Sequence, residues 1–110
     1  MIHIAIVEDE RTYANTLREY LDRYATEHGC RFAVTAYPDG EDIVRNYHAD
    51  SDIILMDIEM RSMDGMTAAK RIRESDDSVI IMFITYTEAD GLSFDASAMG
   101  VTKTVKMTKQ

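Results

Sequence analysis

The sequence predicts a doubly wound α/β fold, a parallel sheet with helices on both faces. Three observations predict it. The runs Ile2–Val7, Ile53–Met56 and Val79–Ile84 are apolar along their length, the signature of strands buried on both sides. Helically spaced segments lie between them, so strand and helix alternate four to five times. Only helical crossovers can cover a parallel sheet twice, and right-handed crossovers give the doubly wound form.

The elements follow in order. Ile2–Val7 stops abruptly at Glu8-Asp9-Glu10. Tyr13, Leu17, Tyr20, Leu21 and Tyr24 then form one core-facing stripe on a helix, which Gly29 stops. Arg31–Tyr37, β-branched and aromatic in character, is extended, with Cys30 read as a small strand residue; Pro38-Asp39-Gly40 is a turn. Ile43, Val44 and Tyr47 make a short helical face. Ile53–Met56 is a strand that ends in Asp57, and the loop Glu59–Gly65 leads to a helix from Met66 to Glu74, with Met66, Ala69 and Ile72 inward. Val79–Ile84 closes on Thr85. Ala89, Leu92, Ala96 and Met99 keep helical spacing, although Asp90, Gly91 and Ser93 are poor helix-interior residues. Val101–Lys106 is the expected last strand and the most polar.

Composition narrows the function classes. One domain is all that 110 residues accommodate. The apolar runs are far shorter than the roughly 20 residues of a membrane helix, and the N-terminus lacks the basic start of a signal peptide. A single cysteine, Cys30, excludes an intrachain disulfide framework and fits a reducing cytoplasm. A net charge of −8 is the wrong sign for direct nucleic-acid or membrane binding. His3, His28 and His48 are scattered without metal-ligand spacing.

Ligands of such sheets bind beyond the carboxyl ends of the strands. With a flavodoxin-like strand order 2-1-3-4-5, Glu8, Asp9 and Asp57 converge there, with Thr85 one strand further over. Crowded carboxylates repel, and a hard cation such as Mg²⁺ relieves them best. One carboxylate is then a nucleophile towards a phosphoryl group, with a hydroxyl (Thr85) and a lysine (Lys103 or Lys106) as further phosphate ligands. The competing reading makes these acids helix caps. It suits Glu10; Asp57, followed by a loop, has no helix to cap.

Ile4-Ala-Ile-Val-Glu-Asp-Glu10, Ile53-Ile-Leu-Met-Asp-Ile-Glu-Met60, Met63-Asp-Gly65 and Phe83-Ile-Thr85, in this order and spacing, resemble the receiver domain (CheY-like) of bacterial two-component response regulators. Phe83-Ile-Thr85 and the acidic triplet are similar to regulators with a LytTR-type output domain. The resemblance implies that Asp57 accepts a phosphoryl group from a sensor histidine kinase. It implies Mg²⁺ held by Glu8, Asp9, Asp57 and the backbone carbonyl of Glu59. Thr85 is then the switch hydroxyl, and Asp64-Gly65 the turn after the phosphorylation loop.

The chain departs from the family pattern in four places. Arg61 stands where a proline is usual; the Lys-Pro pair is absent, leaving Lys106 as the nearest lysine; Thr104 replaces the aromatic switch residue; and only Met107–Gln110 follow, too few for a fifth helix. One sheet face is then covered by the first helix alone, which forfeits several kcal/mol at about 25 cal/mol per Å². Association as a homo-oligomer or domain-swapped dimer is the expected remedy. The reading is a cytoplasmic phosphoacceptor, not a turnover enzyme. Its rivals are a degenerate pseudo-receiver acting by protein contact alone and an aspartate-based phosphohydrolase suggested by Asp57-Ile-Glu59, against which the short chain offers no cap domain; a flavin-binding role lacks any loop to sandwich the ring.

Overall fold

A computed structural model of the chain describes residues 1–57, 60, 62–87, 91–95 and 105–107, the strands from residue 85 onward through their backbone pairing. The elements run β1 (Ile2–Val7), α1 (Arg11–His28), β2 (Phe32–Tyr37), α2 (Gly40–Asn46), β3 (Ile53–Asp57), α3 (Gly65–Arg73), β4 (Ile80–Thr87), β5 (Gly91–Asp95) and β6 (Val105–Met107). The sheet order is β2-β1-β3-β4-β5-β6. β1 to β4 pair in parallel, in the predicted order 2-1-3-4.

The apolar runs are apolar because each strand feeds two cores. Ala5 and Val7 of β1, Ile54 and Met56 of β3, and Ile81 and Phe83 of β4 pack with Ile43 of α2 and Ala68, Ala69 and Ile72 of α3. The alternate residues Ile4, Ile6, Leu55 and Ile84 pack with Leu17 of α1. A period of two thus distributes one strand between opposite helical layers.

The helix ends follow from local chemistry. Gly29 terminates α1 in the left-handed conformation, φ 63°, and its N–H donates to Ala25. Few other residues take that conformation without strain. Asp39 and Asp64 accept hydrogen bonds from Asp42 N (2.7 Å) and Thr67 N (2.8 Å), capping α2 and α3. The Pro38-Asp39-Gly40 turn is therefore the start of a helix. Likewise Asp64-Gly65 is the cap and first residue of α3.

Three expectations are corrected. Leu92 belongs to a strand, not a helix: β5 pairs antiparallel with β4, from Thr87↔Gly91 to Phe83↔Asp95. Gly91 and Ser93 disfavour a helix interior, and an antiparallel neighbour needs no helical crossover. The strand beside β4 is consequently β5, and the last strand, β6, pairs antiparallel with β5. Residues 101–104 of the expected final strand, and the helical positions Ala89, Ala96 and Met99, lie outside the described residues. Third, Cys30 precedes β2 and continues the cap of α1, its N–H donating to Ala25 at 3.0 Å.

The α1 stripe is real but incompletely covered. Leu17 is buried, whereas Tyr24 is 52% exposed. Its ring stacks on His28 at 3.9 Å and on Phe32 at 6.0 Å. A groove of about 250 Å³ beside it is lined by Leu17, Tyr20, Leu21 and Leu55. Ile80, which alternation puts on the same sheet face, is 49% exposed.

Candidate phosphoacceptor and metal site

Parallel register assembles the site. Val7 pairs with Met56, so Glu8 and Asp57 leave neighbouring strands side by side at the carboxyl edge of the sheet. Asp9 follows Glu8, and each of the three offers a carboxylate oxygen within 4.8 Å of the others. Glu8 is 3% and Asp57 6% exposed. The Glu8 carboxylate accepts from Glu10 N at 2.9 Å, and its own N–H donates to Tyr37 O at 3.1 Å, which pins the strand end. Glu10 occupies the N-cap position of α1, although its side chain makes no capping hydrogen bond.

Two charges 4.8 Å apart repel by about 3.5 kcal/mol at an effective dielectric constant of about 20. Burial makes the arrangement costlier still. A small, hard divalent cation answers both costs, because Mg²⁺ takes oxygen donors and retains some waters. The donor set is all carboxylate and clustered at one edge, so the residues present fit Mg²⁺.

The other predicted site residues are placed as follows. Thr85 follows Ile84, the pairing partner of Asp57, on the adjacent strand β4. Lys106 lies on β6, in line with Ser93 and through it with Thr85. Three strand spacings of about 4.8 Å separate the Asp57 and Lys106 backbones, about 14 Å. The ladder brings Thr85 beside Asp57 and leaves Lys106 apart. Glu59, Arg61 and Lys103 lie outside the described residues.

The entry to α3 is held by its cap. The Thr67 N–H holds the Asp64 carboxyl below its ordinary range, and Asp64 O accepts from Ala68 N at 3.1 Å. Gly40, the first residue of α2, abuts this entry. A methyl group built there would lie 2.9 Å from the Met63 carbonyl oxygen, 3.1 Å from Ala68 Cβ and 3.3 Å from Met60 Cε. Sequence reasoning treats Gly40 only as a turn residue. The available signal is a glycine directly after a capping aspartate, where the cap itself needs no glycine.

Residues 4–108 match the family described as response regulator receiver domain. The transcriptional regulatory protein CseB of Streptomyces coelicolor is 32% identical over 91 residues, 82% of this chain and 36% of CseB. The chain thus spans about a third of that relative's length. The response regulator TrrA of Thermotoga maritima, solved in complex with Mg²⁺-BeF, has a TM-score of 0.69 at 23% identity, covering 81% of this chain and 73% of TrrA. TrrA in complex with the histidine kinase ThkA gives a TM-score of 0.56 at 27% identity, covering 80% of this chain and 72% of that one.

Proposed function

The chain belongs to the response regulator receiver-domain family, and from that premise we propose that Asp57 is its phosphoacceptor, served by Mg²⁺ and by a partner histidine kinase. The observation that carries the proposal is the cluster of buried Glu8 and Asp57 with half-buried Asp9 at one sheet edge. An Asp57 oxygen attacks phosphorus, the P–N bond of the kinase phosphohistidine breaks, and the imidazole leaves. Bound Mg²⁺ supplies neutralisation of the incoming phosphoryl oxygens. Glu8 and Asp9, just beyond β1, would hold the cation together with Asp57, and the family resemblance adds the Glu59 carbonyl as a further ligand. The Thr85 hydroxyl donates a hydrogen bond to a phosphoryl oxygen and changes its contacts with phosphorylation. The chain is a phosphoacceptor of the cytoplasm and not a turnover enzyme. Among the described residues, no helix is long and apolar enough to cross a membrane.

Acetyl phosphate with Mg²⁺ tests this directly by intact mass. An adduct of about 80 Da that requires Mg²⁺ and disappears in Asp57→Ala is expected. No adduct, or one that survives the substitution, rejects the proposal. The separation of Lys106 from Asp57 favours one second reading, a pseudo-receiver that acts by protein contact alone. A chain that binds Mg²⁺ but takes no phosphoryl group would support it.

The open groove beside α1 and the exposed Ile80 support self-association, as a homo-oligomer or domain-swapped dimer. Burying such a face contributes about 25 cal/mol per Å². Light scattering on a size-exclusion column at micromolar concentration is expected to give twice the 12.5 kDa chain mass or more. A stable, well-folded monomer would remove the oligomer from the proposal.

A further inference from the structure

We propose that Arg11, the first residue of α1, binds the phosphoryl group during its transfer to Asp57 and offsets part of its charge. The inference rests on the phosphoacceptor reading of Asp57 and adds a residue to that site. It follows from where the fold leaves its cations. The strands β1 to β4 run parallel, so α1, α2 and α3 start at the carboxyl edge of the sheet, beside the acidic cluster, and run away from it. Arg45 at the end of α2, and Lys70, Arg71 and Arg73 in the last turn of α3, are carried towards the opposite edge. Arg31 lies at that edge too, its carbonyl accepting from Ile2 N at 3.2 Å. Among the described residues, Arg11 is the one basic residue in the first turn of a helix.

The chain keeps Arg11 close to the site. Asp9 is two residues before it, and the Glu8 carboxylate turns back to accept from Glu10 N at 2.9 Å, one residue short of it. Glu8, Asp9 and Asp57 each bring a carboxylate oxygen within 4.8 Å of the others, so a charge at Arg11 acts on all three. Helix energetics argue against a structural role. The macrodipole is positive at a helix N-terminus, where acids are favourable and cations are not. The first turn of α2 obeys this with Glu41 and Asp42. In contrast, α1 opens on arginine and has no acid in its first turn. Among the described residues Arg11 forms no ion pair to offset that cost. A local rule broken beside a site points to function. Arg11 is exposed, and so placed to meet a phosphodonor arriving from solvent. The phosphoryl group brings about 1.5 to 2 negative charges and three acceptor oxygens, two of which a guanidinium matches with parallel N–H donors. With acetyl phosphate, an Asp57 oxygen bonds to phosphorus while the P–O bond breaks and acetate leaves with the electron pair. Arg11 stays protonated throughout and donates to the phosphoryl oxygens.

The rate of adduct formation with acetyl phosphate in saturating Mg²⁺, followed by intact mass, tests this beside a calorimetric Mg²⁺ titration. Arg11→Ala is expected to slow the adduct about tenfold, through loss of one exposed charge-assisted donor. The same substitution is expected to lower the Mg²⁺ dissociation constant by about twofold, because a positive neighbour no longer repels the cation. Alanine in the first turn favours the helix, so the variant is expected to fold. Damage to the fold would weaken both processes, whereas a phosphoryl contact moves them in opposite directions. Arg11→Lys, which keeps the charge, is expected to recover most of the rate. Arg18→Ala removes the same charge seven residues further along α1 and is expected to match the wild type in both measurements. An unchanged rate in Arg11→Ala overturns the proposal, as does slower transfer accompanied by weaker Mg²⁺ binding. Equal slowing in Arg18→Ala also overturns it, by making the effect one of net charge. A wild type that forms no adduct at all overturns the phosphoacceptor reading itself.

Discussion

In metal-free buffer Asp57→Asn is expected to melt higher than the wild type, and saturating Mg²⁺ to narrow or reverse the order. Asparagine keeps the shape of the side chain and removes one charge from a set of three whose oxygens lie within 4.8 Å. Each close pair repels by about 3.5 kcal/mol at an effective dielectric constant of about 20. Hydrogen bonds to the carboxylate offset part of this, so a net gain of about 2 kcal/mol is expected, or about 10 °C in a domain of this size. Mg²⁺ acts in the opposite sense. At about 100 times its dissociation constant it adds about 2.7 kcal/mol to whichever form binds it. The wild type has three carboxylates to offer and gains that amount; the variant has two and gains less. Melting curves in EDTA and in excess Mg²⁺ measure both effects. A variant that melts lower in EDTA and gains as much from Mg²⁺ would show that repulsion is not what the cation relieves.

The same charge arrangement was largely visible in the sequence, because a parallel sheet converts sequence into position so directly. An apolar run that ends in a carboxylate puts that carboxylate at the sheet edge. Two such runs on adjacent strands put their acids side by side, as Val7↔Met56 does for Glu8 and Asp57. Where contacts depend on packing between elements, the sequence was silent. Gly40 looks like any turn glycine until the backbone of Met63 is seen against it. Tyr24 continues the α1 stripe in spacing, yet its ring is half out of the protein, stacked on His28. Spacing defines a face of a helix and not how far the layer above the sheet extends. At β5 the helical spacing of Leu92 competed with the local preferences of Gly91 and Ser93, and the strand prevailed.

Asp76 is the clearest case of a structural role that sequence pattern does not reveal, and its contribution to stability is one that acid removes. In an Asp-Asp-Ser loop it reads as a solvated acid, but its carboxylate accepts from the Tyr47 hydroxyl, from Ser78 N at 3.0 Å, from Ser78 Oγ at 2.9 Å and from Val79 N at 3.2 Å. It thereby ties the end of α2 to the entry of β4. The Tyr47 hydroxyl, then the Ser78 N–H, push the Asp76 carboxyl down to about 2. Burial, then the hydrogen bond to Asp76, raises the Tyr47 phenol above its ordinary value. A depressed folded-state value means stability that is complete above the unfolded value, near 4, and is lost as pH falls through about 2. Because Asp76 is partly open to solvent, the contribution is about 1–2 kcal/mol, less than the full shift implies. Asp76→Asn is therefore expected to be less stable than the wild type by about that amount at pH 6, with the difference shrinking between pH 4 and pH 2. Urea unfolding of both proteins across that range measures it. Tyr47→Phe, which removes one donor and leaves the ring in place, is expected to lose less and to narrow the same pH window. A difference between wild type and Asp76→Asn that stays constant from pH 6 to pH 2 would show that the charge on Asp76 contributes nothing and that only the shape of the side chain matters.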